Sequence, residues 1–133
     1  MTPETRQLVR GLIEAWNRRD DALALEYLTP EIEWLPAGPA AVERAVYRGY
    51  EQVARGFESV WETWEVFRFE EAELREAEGS AVWLGRVKMK GVASHVELDQ
   101  EFALHVRLAG EKICRIEAFR SWEEALAAGE QDL

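Results

Sequence analysis

The sequence has few of the residues that build disulfides or metal sites. Cys114 is the only cysteine among 133 residues, and His95 and His105 are the only histidines. One cysteine excludes a disulfide within the chain, and two histidines on either side of a turn region, without a third ligand, make a poor metal site. We therefore predict neither a metal nor a cofactor.

Basic residues are also scarce relative to acidic ones. Lysine and arginine total 16 against 26 aspartates and glutamates, which gives a net charge of -10. This charge argues against a nucleic acid or an anionic membrane as partner, because both require clustered basic side chains. No run approaches the ~18 apolar residues of a spanning helix, and residues 1–6 lack the apolar core of a signal peptide. We expect a soluble, cytoplasmic protein.

Apolar residues, in contrast, are plentiful. They make up 47% of the chain and include six tryptophans, which excludes disorder as a description of the whole. The length suits one domain with a full core, and no linker or internal repeat divides the chain. We predict a single domain over residues 1–133.

Four segments carry helix signals. Thr2-Pro3 is a hydroxyl N-cap followed by proline, and an apolar stripe follows it at helical spacing. A short helix capped within Asp20-Asp21 is expected to end at Thr29-Pro30. A third helix begins at about Gly49, and Ser121 can cap a last turn. The stripe of the third helix is Val53, Phe57, Val60, Trp61 and Trp64.

Alternation of apolar and polar residues predicts strands over residues 81–90, 96–108 and 112–119, with a brief one near Ile32 and Trp34. Charge sets the register of the first two, because a slip of one residue would place charged side chains opposite apolar ones. The predicted opposite-charge pairs are Lys90 with Glu97, Lys88 with Asp99, and Arg86 with Glu101.

Two further registers depend on weaker signals. If Leu108 faces Lys112 across the turn at 109–111, then Gln100 faces Arg120 as the only polar pair on the apolar face. In residues 66–76, a β-bulge near Glu70-Glu71 is needed to bring the apolar side chains to one face. Those side chains are Phe67, Phe69, Ala72 and Leu74.

This order of elements indicates an α+β domain in which helices cover one face of a curved antiparallel sheet. A further signal lies in the order and spacing of five segments, which are residues 13–17 with Asp20, 28–34, 47–49, 116–119 and 124–129. In these segments the sequence resembles the nuclear transport factor 2-like superfamily, and within it the SnoaL-like group related to polyketide cyclases and ketosteroid isomerases. The resemblance implies a cone-shaped fold wrapped by its N-terminal helices, an internal cavity, and a homodimer through the outer face of the sheet near His105, Arg115 and Glu117.

The resemblance also locates the positions where ketosteroid isomerases carry their catalytic groups. The tyrosine falls on Leu12, the base on Trp34 and the oxyanion-binding aspartate on Leu104, and all three residues are apolar here. This kind of isomerase chemistry is therefore not predicted. A shift of one residue would bring Glu33 to the base position. The Asp-Arg-Asp arrangement of the related epoxide hydrolases has no match.

Three functions stay open at this point. The first is binding of a small, mostly apolar molecule in the cavity. The second is general acid–base catalysis of the cyclase, isomerase or hydrolase kind, using Glu33 or Glu71. The third is a non-catalytic dimerisation domain whose cavity is filled by its own side chains, which a volume well below ~300 Å³ would favour. The predicted ligand contacts are Arg120, Gln100, Trp34, Tyr50, Phe102 and Leu104.

Overall fold

The structure is a computed structural model that describes residues 5–38, 41 and 45–130, and these residues form four helices and six strands. The predicted helix start at Thr2-Pro3 lies outside the described residues. None of the described helices is long and apolar enough to span a membrane. The elements are α1 (Thr5–Asn17), α2 (Asp21–Glu26), β1 (Leu28–Leu35), β2 (Tyr47–Arg48), α3 (Gly49–Thr63), β3 (Trp64–Ala77), β4 (Ser80–Gly91), β5 (Glu97–Ala109), β6 (Lys112–Phe119) and α4 (Trp122–Glu130).

All six strands form one sheet in the order β2-β1-β6-β5-β4-β3. The predicted α+β class is confirmed. The sheet is mixed rather than wholly antiparallel, because β1 runs parallel to β6. The second helix, α2, is capped by the Asp20 side chain, which accepts from Leu23 N at 3.1 Å. It ends before Thr29-Pro30, which lies within β1, so the predicted helix end is wrong by a few residues.

The pairing of β4 with β5 confirms the register predicted from charge. Lys90 faces Glu97, Lys88 faces Asp99 and Arg86 faces Glu101. The closest ion pairs are nevertheless made with other carboxylates, because long side chains also reach diagonal and next-strand neighbours. They are Arg86 with Asp99 at 2.7 Å, Lys88 with Glu70 at 3.4 Å, and Lys90 with Glu65 at 3.3 Å.

The register predicted between β5 and β6 is wrong. Lys112 faces Ala109 rather than Leu108, across a turn in which Gly110 has a φ of 65°. Cys114 then adds an extra residue to β6, so the pairing beyond it differs from the prediction by two residues. The predicted pair of Gln100 with Arg120 is therefore absent, since the pairing of β5 with β6 ends at Ala103 and Phe119. On its other side, Gln100 faces Val87 on β4.

The predicted bulge in β3 is confirmed. Glu71 faces Gly85 and Glu73 faces Leu84, so the residue between them, Ala72, is the extra one. The insertion turns Leu74 to the face that carries Phe67 and Phe69, because one added residue reverses the alternation. Ala72 itself is exposed, contrary to the prediction.

Helices pack on both faces of the sheet. The inner face, which carries Phe67, Trp83 and Phe102, packs against α1 and α3 in the main core. Helix α4 begins after Ser121, whose hydroxyl accepts from Glu124 N at 3.2 Å as predicted, and packs on the outer face. The expectation that helices cover only one face is therefore wrong. The residues of this second core are Val82, Leu84, Ala103 and Ala125, with Phe119, Trp122 and Leu126 at its margin.

Helix α1 lies along the free edge of β3, the last strand in the sheet order. The Asn17 side chain accepts from Phe69 N at 2.9 Å and donates to Phe69 O at 3.0 Å. Trp16 Nε1 donates to Phe67 O at 2.9 Å, and an Arg6 guanidinium nitrogen donates to Leu74 O at 3.1 Å. Side chains of α1 thus bind backbone groups that a seventh strand would otherwise pair.

Gly56 permits close contact between α3 and β1. A Cβ at this helical position would lie 2.7 Å from the Trp34 ring and 2.9 Å from the Tyr47 ring. In a helix without such a contact, replacing glycine with alanine gains about 0.5–1 kcal/mol. Overpacking a well-packed core costs about 1–3 kcal/mol, so the contact outweighs the gain.

We therefore expect Gly56→Ala to lower the free energy of unfolding, measured by urea denaturation. Ala54→Gly, in the same helix, is the matched control and should also be destabilising, through helix propensity alone. If Gly56→Ala stabilises the protein, the close contact between α3 and the Trp34 ring is refuted.

Candidate functional site

A small cavity lies between α1, α3 and the inner face of the sheet. Its volume is about 50 Å³, and twelve described side chains line it, none of which is charged. Half of them are aliphatic or alanine side chains from α1, α3, β5 and β6. The aromatic half consists of Trp16, Trp34, Phe57, Phe67, Phe69 and Phe102.

The aromatic rings hold one another in place. Trp16 makes edge contacts with Phe57 and Phe67, at centroid distances of 5.1 and 5.7 Å, and stacks on Trp61 at 4.7 Å. Trp34 stacks on Tyr47 at 5.1 Å. Such pairs add about 0.5–1.5 kcal/mol each beyond the area they bury. The cavity wall is therefore well packed.

The volume decides what this state of the protein can hold. A cavity of about 50 Å³ is a third of the ~150 Å³ apolar cavity that holds benzene, and drug-sized ligands need ~300 Å³ or more. An apolar cavity of this kind stays dry, because water finds no hydrogen-bond partners in it. Any larger ligand must displace side chains of the wall.

The three positions carried over from ketosteroid isomerases do meet in space. Leu12, Trp34 and Leu104 all line the cavity. Their convergence supports the correspondence drawn from the sequence. It places apolar side chains where the isomerases hold a tyrosine, a base and an oxyanion-binding acid.

The predicted ligand contacts divide into two groups. Trp34, Phe102 and Leu104 line the cavity, as expected of ligand contacts. Tyr50 is more than a third exposed, and its hydroxyl donates to Leu28 O at 2.8 Å. Arg120 is exposed beyond the end of β6, next to Gly38. Gln100, which faces Val87 on β4, is not among the residues that line the cavity either. The three polar ligand contacts therefore stay predictions.

Both predicted acid–base residues lie away from the cavity. Glu33 accepts from Arg48 Nε at 3.0 Å on the outside of β1. Glu71 is exposed and accepts from Arg10 at 2.8 and 3.2 Å. Its hydrogen bond and charge raise the pKa of Arg10. Both carboxylates are held as ion-pair partners, and neither faces the interior.

A second, polar space lies between α1 and β3, and we call it the α1–β3 cleft. Its volume is about 450 Å³. Sequence reasoning missed it, although its helix residues follow the spacing of a single helix face. It is lined by Arg10, Ile13, Glu14, Asn17 and Arg18 from α1 and by Arg68, Phe69 and Glu71 from β3.

The remaining polar features give little support to a metal or a further catalytic group. The described residues contain no cluster of three or more metal-ligating side chains. Trp61 Nε1 donates to Asp21 at 3.2 Å, and Arg19 lies 4.3 Å above the Trp61 ring. Burial raises the pKa of Asp21, partly offset by the hydrogen bond from Trp61. This surface group fixes α2 against α3.

The model of the SnoaL-like domain matches residues 9–116. No protein with a curated description matches the chain. Solved structures do: an NTF2-like protein of unknown function from Burkholderia pseudomallei has a TM-score of 0.80 at 22% identity, covering 92% of this chain and 94% of that chain. TerC, co-crystallised with polyporic acid, has a TM-score of 0.78 at 16% identity, covering 94% and 95%.

A third neighbour, a Catenulispora acidiphila protein with a ketosteroid isomerase-like fold, was solved in complex with trimethylamine. Its TM-score is 0.76 at 16% identity, and the match covers 96% of this chain and 92% of that chain. At these identities the likeness shows the fold alone. The predicted cone fold of the NTF2-like kind is confirmed.

Proposed function

The chain belongs to the SnoaL-like domain family, and we propose that it binds a small apolar molecule inside the cone without acid–base chemistry. One observation carries this proposal: every described side chain that lines the cavity is apolar or aromatic. Such a lining binds by removing apolar ligand surface from water, at about 25 cal/mol per Å². It offers no carboxylate, imidazole or amine that transfers a proton.

The small volume requires the ligand to move part of the wall. Among the aromatic residues that line the cavity, Phe69 is the one whose side chain can move aside most easily for a ligand. It is half-buried, while the other five are buried. Its backbone is held by Asn17, so rotation of the ring leaves the strand edge in place. The neighbours crystallised with polyporic acid and with trimethylamine support small organic molecules as the ligand class.

A second candidate function follows from the volume itself. At about 50 Å³, the cavity falls well below the size expected of a ligand pocket. The alternative is a non-catalytic domain whose cone is permanently filled by its own aromatic side chains. The two candidates differ in one measurable property, which is whether a planar aromatic molecule enters.

Naphthalene is a suitable probe, followed by NMR of the tryptophan indole N–H groups. We expect the Trp16 and Trp34 resonances to shift on titration, while Trp122 on the outer face stays unchanged. Ala118→Leu fills the cavity and should abolish the shifts, whereas Ala127→Leu on the exposed side of α4 should not. Naphthalene that leaves Trp16 and Trp34 unaffected in the folded wild-type protein would favour the permanently filled cone.

The homodimer implied by the family is part of the proposal, with a changed contact region. Helix α4 covers part of the outer face, and His105 is only 2% exposed within one chain, so His105 cannot lie at an interface centre. The outer ladder of opposite charges on β4 and β5 stays accessible. A two-fold axis can match such a mixed-charge surface with itself.

Light scattering at micromolar concentration should therefore give twice the mass of one chain. Because the proposed contact is largely ionic, the dimer fraction should fall as salt rises from 0.05 to about 0.5 M. A single-chain mass at low salt would contradict the dimer and would leave the binding proposal untouched.

A further inference from the structure

We propose that the ligand of this cone is an organic carboxylate, with its apolar body in the cavity and its carboxylate held by Arg68 in the α1–β3 cleft. This inference rests on the binding function proposed above and adds the chemical class of the ligand. It depends on three observations: the adjacency of the two spaces, the charge balance of the cleft, and the partial burial of the Phe69 side chain between them.

The cavity and the α1–β3 cleft share a wall. Ile13 from α1 and Phe69 from β3 line both spaces. A molecule that enters past the Phe69 ring therefore has one end among apolar side chains and the other among polar ones. An amphipathic ligand suits this arrangement, since a wholly apolar one would leave the cleft empty and a wholly polar one would not enter.

The charge balance of the cleft favours an anion. Arg10 is neutralised by Glu71 at 2.8 Å, and Arg18 by Glu14 at 2.7 Å. Arg68 is exposed and makes no ion pair with any residue that the structure describes. The three arginines and two glutamates of the cleft thus leave one positive charge, in a chain whose net charge is -10.

A guanidinium suits an oxyanion such as a carboxylate. Its planar fork donates two parallel hydrogen bonds to the two carboxylate oxygens, which a neutral or cationic head group cannot accept in the same way. Asn17 does not compete for the ligand, because both polar ends of its side chain already bind the backbone of Phe69. Arg68 is therefore the group in the cleft that remains available.

Three probes of one shape test this inference: 2-naphthoate, naphthalene and 2-naphthylmethylamine, each titrated into the full chain. In low salt we expect 2-naphthoate to bind about tenfold more tightly than naphthalene, since a charge-assisted hydrogen bond is worth about that factor. The amine should bind most weakly. Raising the ionic strength should reduce the preference for 2-naphthoate, because Arg68 is exposed to solvent.

Arg68→Met should remove the preference for 2-naphthoate while leaving the affinity for naphthalene unchanged. Arg55→Met is the matched control, because Arg55 is an exposed arginine on α3 outside the cleft. It should keep the preference.

Each remaining outcome decides a different claim. Naphthalene binding without a preference for 2-naphthoate overturns this inference and leaves the proposed function standing. A preference retained in Arg68→Met overturns the assignment to the cleft. If neither naphthalene nor 2-naphthoate binds the wild-type protein, the proposed binding function itself is refuted.

Discussion

The attachment of α1 to the free edge of β3 is the constraint on which the rest of this structure depends. An edge strand presents unpaired N–H and C=O groups, and buried groups of this kind must find partners. Asn17 meets both requirements at Phe69, because its amide accepts and donates like a peptide group. The same contact brings Trp16 to the centre of the aromatic cluster, where it bonds Phe67 O. Asn17 and Trp16, in the same turn of α1, therefore bind the edge of β3, and Trp16 also forms part of the cavity wall.

The wall of the cavity differs from the site that ketosteroid isomerase chemistry requires. Catalysis of that kind needs a base and two acidic donors directed at one point. The corresponding positions, Leu12, Trp34 and Leu104, do converge, but on an apolar surface. The two carboxylates predicted for acid–base chemistry, Glu33 and Glu71, are held outside by arginines. What the interior retains is the capacity to bury apolar surface.

The sequence revealed some parts of the fold and of the site better than others, depending on the physical signal that carried them. Opposite charges identified the β4–β5 register, because any other pairing places charge against apolar side chains. Apolar alternation alone misplaced β6, since a slip of two residues keeps every side chain on its own face. The turn at 109–111 and the bulge at Cys114 each contributed one residue to that slip, and the predicted pair of Gln100 with Arg120 was lost with it. The sequence led to Trp34, Phe102 and Leu104 as residues of the cavity. It did not lead to the α1–β3 cleft, because the cleft depends on the contact of two elements that lie far apart in the sequence.

Amide hydrogen exchange at Phe69 tests the edge attachment most directly. We expect a slow Phe69 amide in the wild-type protein, fast exchange in Asn17→Ala, and retained protection in Asn17→Asp, whose carboxylate still accepts from Phe69 N. The Arg68 amide, which faces β4 by the alternation of the ladder, should stay protected in all three proteins. A Phe69 amide that exchanges equally slowly in Asn17→Ala would refute the attachment of α1 through Asn17, because the edge of β3 would then be held by something other than this side chain.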